Sequence, residues 1–145
     1  MSPNRAYPVP VACLVLVDSK NTVLATQRPE HKALGGLWEF PGGKLHDGEL
    51  AENALRREIR EELHLELGPL SPLSPVLHRY PFGVIRLIPF LAYCDKRPVL
   101  QLAEHTAAKW VTLKEASLLE WAPADLPILA ELAQLGDNLG TGANG

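Results

Sequence analysis

The distribution of proline restricts the helices of this chain more than any other sequence feature. The chain contains 13 prolines, and a proline inside a helix costs about 3 kcal/mol because its ring removes a backbone donor and clashes with the preceding turn. The longest proline-free stretch with helical character runs from Gly42 to Gly68 and carries the densest charge in the chain. We therefore expect the principal helix in this window, from about Asp47 to His64.

Apolar runs separated by turn residues predict strands over much of the remaining chain. The predicted strands are Val9–Val17, Thr22–Gln27, Leu37–Phe40, Val76–Tyr80, Val84–Tyr93 and Lys109–Thr112. Turn residues at 18–21 and 81–83 predict two hairpins within this set. A short helical turn is expected at Lys114–Leu119 and a C-terminal helix at Ala124–Leu135.

Length and composition indicate one globular domain. A chain of 145 residues lies within the ~100–200 expected of a single domain. With 46% hydrophobic and 21% charged residues, the composition argues against a disordered or fibrous class. We expect a single domain over residues 1–135 and a flexible tail over residues 136–145, which show no core-forming pattern.

Charge and hydropathy restrict the class of partner. The net charge of −3 argues against a dedicated nucleic-acid or anionic-membrane surface, since phosphate binding of that kind relies on a basic field. Apolar runs fall short of the roughly 20 residues of a membrane span, and the first ten residues do not resemble a secretory signal. We therefore expect a cytoplasmic protein with a small-molecule partner. Cys13 and Cys94 are expected to be reduced thiols.

Three glutamates converge on one side of the predicted helix. At about 100° per residue, Glu58, Glu61 and Glu62 fall within an arc of roughly 100°. An apolar stripe lies beside this arc and is expected to fix the helix to a sheet; it consists of Leu55, Ile59 and Leu63. Like charges within one turn destabilise an isolated helix. Taken alone, the segment is most simply interpreted as a solvated, salt-bridged helix face.

The loop before the helix favours a second interpretation, a site for a divalent cation. Gly42 and Gly43 follow a predicted strand and permit close approach of the backbone to a ligand. Carbonyl oxygens exposed there can join carboxylates around a hard cation. Mg²⁺, or alternatively Mn²⁺, bound mainly by carboxylates keeps open positions for water and substrate phosphates, which indicates phosphate chemistry.

The segment from Gly43 to Leu65 resembles the Nudix hydrolase signature at every defining position except one. The matching residues are Gly43, Glu49, Arg57, Glu58, Ile59, Glu61, Glu62 and Leu65. The departure is His64, where the family normally has glycine. A left-handed cap at this position would cost a non-glycine residue roughly 1 kcal/mol; the alternative is a helix that continues for one more turn, to Gly68.

Within that superfamily the chain looks most like the MutT-type nucleoside triphosphate pyrophosphohydrolases, from about Val9 to Leu135. Residues 37–44 are similar to the strand and turn that precede the signature in those enzymes, and residues 121–125 resemble their base-contacting segment. The resemblance implies an α/β fold, the Nudix αβα sandwich with a mixed β-sheet between helices. It also implies that a metal-activated water attacks a nucleoside triphosphate and releases monophosphate and pyrophosphate.

The resemblance also implies roles for individual residues. The implied Mg²⁺ ligands are Glu58, Glu61, Glu62 and the carbonyl of Gly42, with Glu104 as a further ligand or as a residue that positions a water. Arg57 would orient the neighbouring carboxylates, and Glu49 would support the loop at the start of the helix. The catalytic set implied is Glu61, Glu62, Arg57 and Glu104.

Five residues are candidates to contact the substrate. Arg28 and Lys44 are candidates for the phosphates, although a lone basic residue is more often a solvated charge. Trp38 and Trp121 could stack on a base, although tryptophan packs more often in a core or at its rim. Asp125 matches the position beside the base, where MutT has asparagine and a cytidine-nucleotide relative has aspartate; it could instead be a helix-dipole partner.

The identity of the base depends on the charge of Asp125. An ionised carboxylate only accepts hydrogen bonds, which suits the adjacent N–H donors of guanine or 8-oxoguanine. Cytosine would require a single bond or a protonated acid, which burial can provide by raising the pKa. We expect an oxidised nucleotide such as 8-oxo-dGTP, with CTP or 5-methyl-dCTP as the alternative.

Two other interpretations carry less weight. A MutT-like domain that recognises a base without hydrolysing nucleotides lacks the acidic residues that are present here. Tyr80 lies near a position that marks other Nudix subfamilies but reads more simply as part of a hairpin. The histidines have no metal-ligand spacing and are expected to have solvent-exposed or structural roles; they include His31, His46, His78 and His105.

Overall fold

The computed structural model describes residues 8–136 and residue 139. Its strands are β1 (Val9–Val17), β2 (Val23–Gln27), β3 (Trp38–Glu39), β4 (Gly42–Lys44), β5 (Ser71–Pro72), β6 (Val76–Tyr80), β7 (Gly83–Tyr93) and β8 (Ala107–Val111). Its helices are α1 (Ala51–Leu63), α2 (Leu113–Ala116) and α3 (Leu126–Leu135), and a 3₁₀ turn at Pro123–Asp125 precedes α3. The predicted elements are therefore present, with ends that shift by a few residues.

Strand β1 lies at the centre of the sheet, between β2 and β7. It runs parallel to β7 from the Val9–Ile85 pair to the Val17–Tyr93 pair, and it is antiparallel to β4 and β2. Strands β5 and β6 pair with β7, and β3 and β8 pair with β2. The sheet is thus mixed, as predicted.

The alternation of side chains along β1 divides the core into two layers. Ala12, Leu14 and Leu16 pack with the apolar stripe of α1. The intervening residues of β1 face the opposite layer, where α3 supplies Ile128 and Leu132. Helices therefore cover both faces of the sheet, and the predicted αβα sandwich is confirmed.

The limits of α1 differ from the prediction at one end and resolve the alternatives at the other. Residues 46–49 form a turn, in which Gly48 has a positive φ of 77°, so the helix begins at Ala51 and not near Asp47. At the other end, His64 adopts the left-handed conformation with φ 56° and ψ 44°. The helix therefore ends at the signature position and does not continue to Gly68.

Two short segments were missed or misjudged from the sequence. The glycine-rich break after Pro41 continues as β4, because Gly42–Lys44 pairs with β1. Leu139, which was expected to lie in a flexible tail, is 1% exposed and packs in the same core layer as Ile128. Leu139 therefore packs against the domain; residues 137, 138 and 140–145 lie outside the described residues.

None of the helices in the described part of the chain is both long enough and apolar enough to cross a membrane.

The packing of α1 on the sheet predicts different costs for two leucines. Leu55 is fully buried between α1 and the sheet, whereas Leu50, just before the helix, is 70% exposed. Leu55→Ala should lower the free energy of unfolding by about 2–5 kcal/mol, because it leaves a cavity. Leu50→Ala should change it by no more than about 0.5 kcal/mol. Urea denaturation of both variants tests this, and equal costs would contradict the assigned packing.

Candidate active site

A cavity of about 700 Å³ opens on the α3 side of the sheet. Its apolar floor comes from the adjacent strands β1 and β7, through Val11, Cys13, Ile85 and Leu87. One end is acidic and is lined by Gly42, Gly43, Glu58, Glu62 and Glu104. The other end is lined by Phe40, Tyr80, Phe82, Ala122, Ala124 and Asp125. The cavity therefore joins most of the residues that the sequence proposed for metal and substrate.

Close approach of the backbone of β4 to α1 creates the acidic end. A Cβ on Gly43 would lie 2.2 Å from Cδ of Glu58, and a Cβ on Gly42 would lie 1.9 Å from the carbonyl oxygen of Ala12. Both distances are shorter than real Cβ atoms accept. At Gly42 the added atom would meet backbone, so the strand pairing requires glycine there. At Gly43 it would meet the Glu58 side chain, which would have to move.

Arg57 holds the carboxylates around the start of α1. Its Nε and Nη2 donate to Glu49 at 2.9 Å each, and its Nη1 donates to Glu58 at 2.8 Å. A further bond from Nη2 reaches the carbonyl of Lys44 at 3.1 Å. Hydrogen bonding to Arg57 lowers the pKa of Glu49 to about 2. Arg57 is thus bonded to two of the neighbouring carboxylates and to the turn before the helix; its orienting role remains a prediction.

The Glu62 carboxyl is largely buried and has one oxygen without a partner among the described residues. Its Oε1 is buried and has no hydrogen-bond partner within residues 8–136 and 139. Burial, followed by repulsion from Glu58 and Glu39, raises the pKa of this carboxyl to about 8, and the backbone of Gly42 partly opposes the shift. A cation beside Glu62 would stabilise its ionised form.

Glu104 and Glu61 have different relations to the cavity. Glu104 lines it and forms an ion pair with Lys32, which lines it too. The Glu61 side chain is 60% exposed, and the residue is not among those that line the cavity. Its Oε1 lies 3.4 Å from Nη1 of Arg57. The structure therefore groups Glu58, Glu62 and Glu104, with Glu61 at the outer edge.

The carboxylates fit a hard divalent cation by chemical type. Within the described chain, no group of three or more His, Cys, Asp or Glu side chains is already arranged to hold a metal ion. The donors nevertheless are oxygen atoms, which Mg²⁺ prefers, and the orphaned oxygen of Glu62 is available to one. Of the other carboxylates, Glu58 is ion-paired with Arg57 and Glu104 with Lys32.

Asp125 lies at the opposite end of the cavity. It is buried, and its Oδ2 accepts a hydrogen bond from the backbone N–H of Phe40 at 2.8 Å. Burial is the main cause that raises its pKa to about 8, and the bond from Phe40 opposes that shift. The neighbouring Ala124 N–H donates to the hydroxyl of Tyr80 at 2.8 Å. These bonds fix the 3₁₀ turn against the sheet.

The structure places both tryptophans in the core, the second of the two roles considered for them. Trp38 and Trp121 are each 7% exposed, pack in the core and do not line the cavity. The indole of Trp121 donates to the carbonyl of Ala116 at 2.9 Å and lies against Phe40, with ring centroids 4.9 Å apart. The more common role of tryptophan, core packing, therefore applies to both.

Arg28 and Lys44 both line the cavity, but they differ in how many partners hold their side chains. Arg28 donates through Nη1 to Glu39 at 2.9 Å and through Nε to the carbonyl of Ala33 at 2.8 Å. Lys44 pairs with Val11 of β1, so its side chain points to the cavity face of the sheet. Lys44 is thus the more available cation, and Arg28 is held in place by its partners.

Sequence reasoning missed a buried polar cluster and an aromatic wall. Glu39 receives Arg28 on one oxygen, and its other oxygen lies 2.9 Å from Nε2 of His105. Tyr80 and Phe82 stack at 5.0 Å along the rim. The sequence signal for Glu39 was its place in the strand before Gly42. His105 and Phe82 had no such signal, because their roles depend on distant strands.

Comparisons with known proteins identify a family and several related enzymes. Residues 6–132 match the NUDIX domain family. The CTP pyrophosphohydrolase of Escherichia coli (strain K12) is 37% identical over 119 residues, 82% of this chain and 86% of that protein. An 8-oxo-dGTP diphosphatase of Proteus vulgaris is 43% identical over 81 residues, 56% of this chain and 72% of that protein. The solution structure of the Escherichia coli ORF135 protein superposes with a TM-score of 0.77 and 30% identity, covering 93% of this chain and 95% of that one.

The sandwich fold with an acidic helix beside a glycine-rich strand defines a phosphate-chemistry enzyme of the Nudix type. The chain belongs to the Nudix family and is a Nudix hydrolase. Hydrolases of this family generally use divalent metal cations.

The two glycines of β4 should respond differently to an added methyl group. Gly42→Ala sets a Cβ against backbone and should destabilise the fold by about 1–3 kcal/mol or more. Gly43→Ala sets a Cβ against a movable carboxylate, so the fold should persist while Mn²⁺ affinity falls by roughly 10- to 100-fold. Thermal unfolding and calorimetric Mn²⁺ titration measure the two effects. An equal loss of stability in both variants would show that Glu58 cannot move.

Proposed function

We propose that this enzyme hydrolyses a nucleoside triphosphate to the monophosphate and pyrophosphate with Mg²⁺, and that an oxidised nucleotide such as 8-oxo-dGTP is its preferred substrate. One observation carries the proposal. A single cavity of about 700 Å³ has carboxylates at one end and a buried acid among aromatic and apolar side chains at the other. This arrangement suits a ligand with a charged phosphate chain and a flat polar base.

The acidic end would hold the cation and the phosphate chain together. Glu58 and Glu62, with the carbonyl of Gly42, would supply oxygen ligands for Mg²⁺ or alternatively Mn²⁺, and Glu61 would complete the sphere from its edge. Glu104 would contribute a further ligand or position a water. A bound cation would polarise phosphoryl oxygens and lower the pKa of a nearby water. The water oxygen would bond to phosphorus while the P–O bond that bridges the α- and β-phosphates breaks, and the water would pass its proton to a carboxylate or to solvent.

The cations of the chain would neutralise the phosphates. Lys44 and Lys32 line the cavity, and Lys32 becomes available to a phosphate once Glu104 turns from it to the metal. Arg28 is held by Glu39 at the same wall. Positive side chains placed beforehand against the phosphate chain stabilise the charge that develops on the leaving group.

Analysis of the reaction products tests this proposal. With 8-oxo-dGTP and Mg²⁺, chromatography should show 8-oxo-dGMP and pyrophosphate, and a chelator should abolish both. Glu62→Gln should lower kcat about a hundredfold or more, because it removes a charge beside the cation where the transition state is stabilised. Glu61→Gln is expected to act in the same direction.

A matched control lies on the same helix. Glu52 is an exposed glutamate of α1 that pairs with Arg56, so Glu52→Gln should retain full turnover. If the products were nucleoside diphosphate and orthophosphate, the enzyme would cleave a different phosphoanhydride bond from the one proposed. Full activity in chelator, or in Glu62→Gln, would rule out the proposed metal site.

A second candidate substrate, CTP or 5-methyl-dCTP, is favoured by the state of Asp125. The pKa of about 8 makes this acid mostly neutral at pH 7, so it can donate a proton to the ring acceptor of cytosine and accept from the amino group. Oxidised guanine presents N–H donors and is better matched by the ionised acid. The relative from Escherichia coli is a CTP pyrophosphohydrolase, whereas the one from Proteus vulgaris is an 8-oxo-dGTP diphosphatase.

The pH dependence of binding distinguishes the two bases. Because the pKa of Asp125 is raised to about 8, the acid ionises as the pH rises from 6.5 to 8.5. Affinity for 8-oxo-dGMP relative to dCMP should therefore increase over this range, by up to about tenfold per pH unit. Calorimetry in a chelator measures the ratio, in which effects on the phosphate common to both ligands cancel.

Asp125→Asn supplies the control for this measurement. Asparagine keeps an acceptor for the Phe40 N–H but cannot ionise, so the ratio should become independent of pH. A flat ratio in the unmodified enzyme would mean that Asp125 does not contact the base. A ratio that favours dCMP throughout would select the cytidine substrate.

A further inference from the structure

His64 occupies the signature position at which glycine is usual, and its backbone has the conformation that favours glycine. With φ 56° and ψ 44° it ends α1, and its N–H donates to the carbonyl of Arg60 at 3.1 Å. Glycine adopts this conformation without the steric cost that a Cβ brings. The cap alone therefore does not explain the histidine.

The side chain of His64 makes a contact that glycine could not make. Its Nδ1 lies 3.1 Å from the carbonyl oxygen of Gln101. A carbonyl oxygen can only accept, so Nδ1 carries the proton in this bond. The contact joins the end of α1 to a residue 37 positions further along the chain.

Two backbone bonds lie beside this contact and join the same two segments. The N–H of Gln101 donates to the carbonyl of Leu63 at 3.2 Å, and the N–H of Ala103 donates to the carbonyl of Glu62 at 3.0 Å. Both acceptors are carbonyls at the end of α1, which lack partners within the helix. Residues 101–103 thus close the helix end through three hydrogen bonds.

The next residue after this clamp is Glu104. Residues 94–106, all of them described, form neither helix nor strand, so the position of Glu104 depends on bonds to other elements. On its far side, the Thr106 N–H donates to the carbonyl of Gln27 at 2.9 Å. On its near side, the bonds to α1 set its distance from Glu62, which α1 itself carries.

We propose that His64 is a positioning residue that holds Glu104 in register with the carboxylates of α1. The inference rests on the proposed function, in which Glu104 serves the metal or the attacking water. Compared with glycine, histidine gives a more strained cap. It also supplies a side-chain donor that bonds the carbonyl of Gln101, in the loop that bears Glu104. The imidazole does not touch the substrate; it acts through Gln101 and the following two residues.

Two substitutions separate the imidazole from the cap. His64→Gly keeps the left-handed cap and removes the donor. His64→Asn keeps a residue type tolerant of this conformation and restores a side-chain N–H. Asn21→Gly is the matched control, because Asn21 also has a positive φ of 61° but lies in the turn between β1 and β2.

The readouts are amide hydrogen exchange at Gln101 and Ala103 and steady-state kinetics with Mg²⁺ and the nucleotide. In His64→Gly, exchange at both amides should accelerate, and kcat should fall about three- to tenfold with a smaller change in KM, as expected for one lost hydrogen bond. His64→Asn should recover most of kcat. Asn21→Gly should change neither readout.

Other results would overturn the inference. Unchanged exchange in His64→Gly would show that the imidazole does not hold the loop. Faster exchange with unchanged kcat would also reject it, provided that Glu104→Gln lowers kcat. If Glu104→Gln has full activity, the role proposed for Glu104 is wrong, and the inference falls with it; the exchange data then still report whether the loop is tied to α1.

Discussion

The close approach of β4 to β1 is the constraint on which the active site depends. Gly42 and Gly43 let the strand lie against the Ala12 carbonyl on one side and Glu58 on the other. A side chain at Gly42 would clash with the backbone of β1, and a side chain at Gly43 would displace the Glu58 carboxylate. The acidic end of the cavity therefore depends on the absence of side chains at Gly42 and Gly43 as well as on the carboxylates nearby.

Much of the fold and part of the site could be predicted from the sequence, because the signals are local. The alternation along β1 and the apolar stripe of α1 determine which faces pack, and both are visible within one segment. The carboxylate arc follows from helical periodicity alone. The start of α1 was predicted four residues too early, since the charged residues before Leu50 have helical composition but form a turn around Gly48.

Contacts between distant segments could not be predicted in the same way. Whether Trp38 stacks on a base or fills the core depends on where Trp121 and α3 lie, and the structure buries both rings. His105 and Glu39 meet across 66 positions of sequence. The sequence leaves the charge of Asp125 open, and the burial that raises its pKa to about 8 is visible only in the structure. Burial of this kind is a property of the assembled core and not of residues 121–125.

The hydrogen bond from Phe40 to Asp125 links the two ends of the cavity. Phe40 lies two residues before Gly42, so the group proposed to contact the nucleobase also anchors the strand that carries the proposed metal-binding turn. A change of base preference at this position is therefore also a change in the support of the catalytic turn. Phe82, whose ring stacks on Tyr80 at the rim, is 59% exposed, so a substitution there would disturb less of the packing around β4. Substitutions at the rim are therefore less constrained than substitutions at Asp125. Only residue types that can accept a hydrogen bond from the Phe40 N–H would keep β4 anchored.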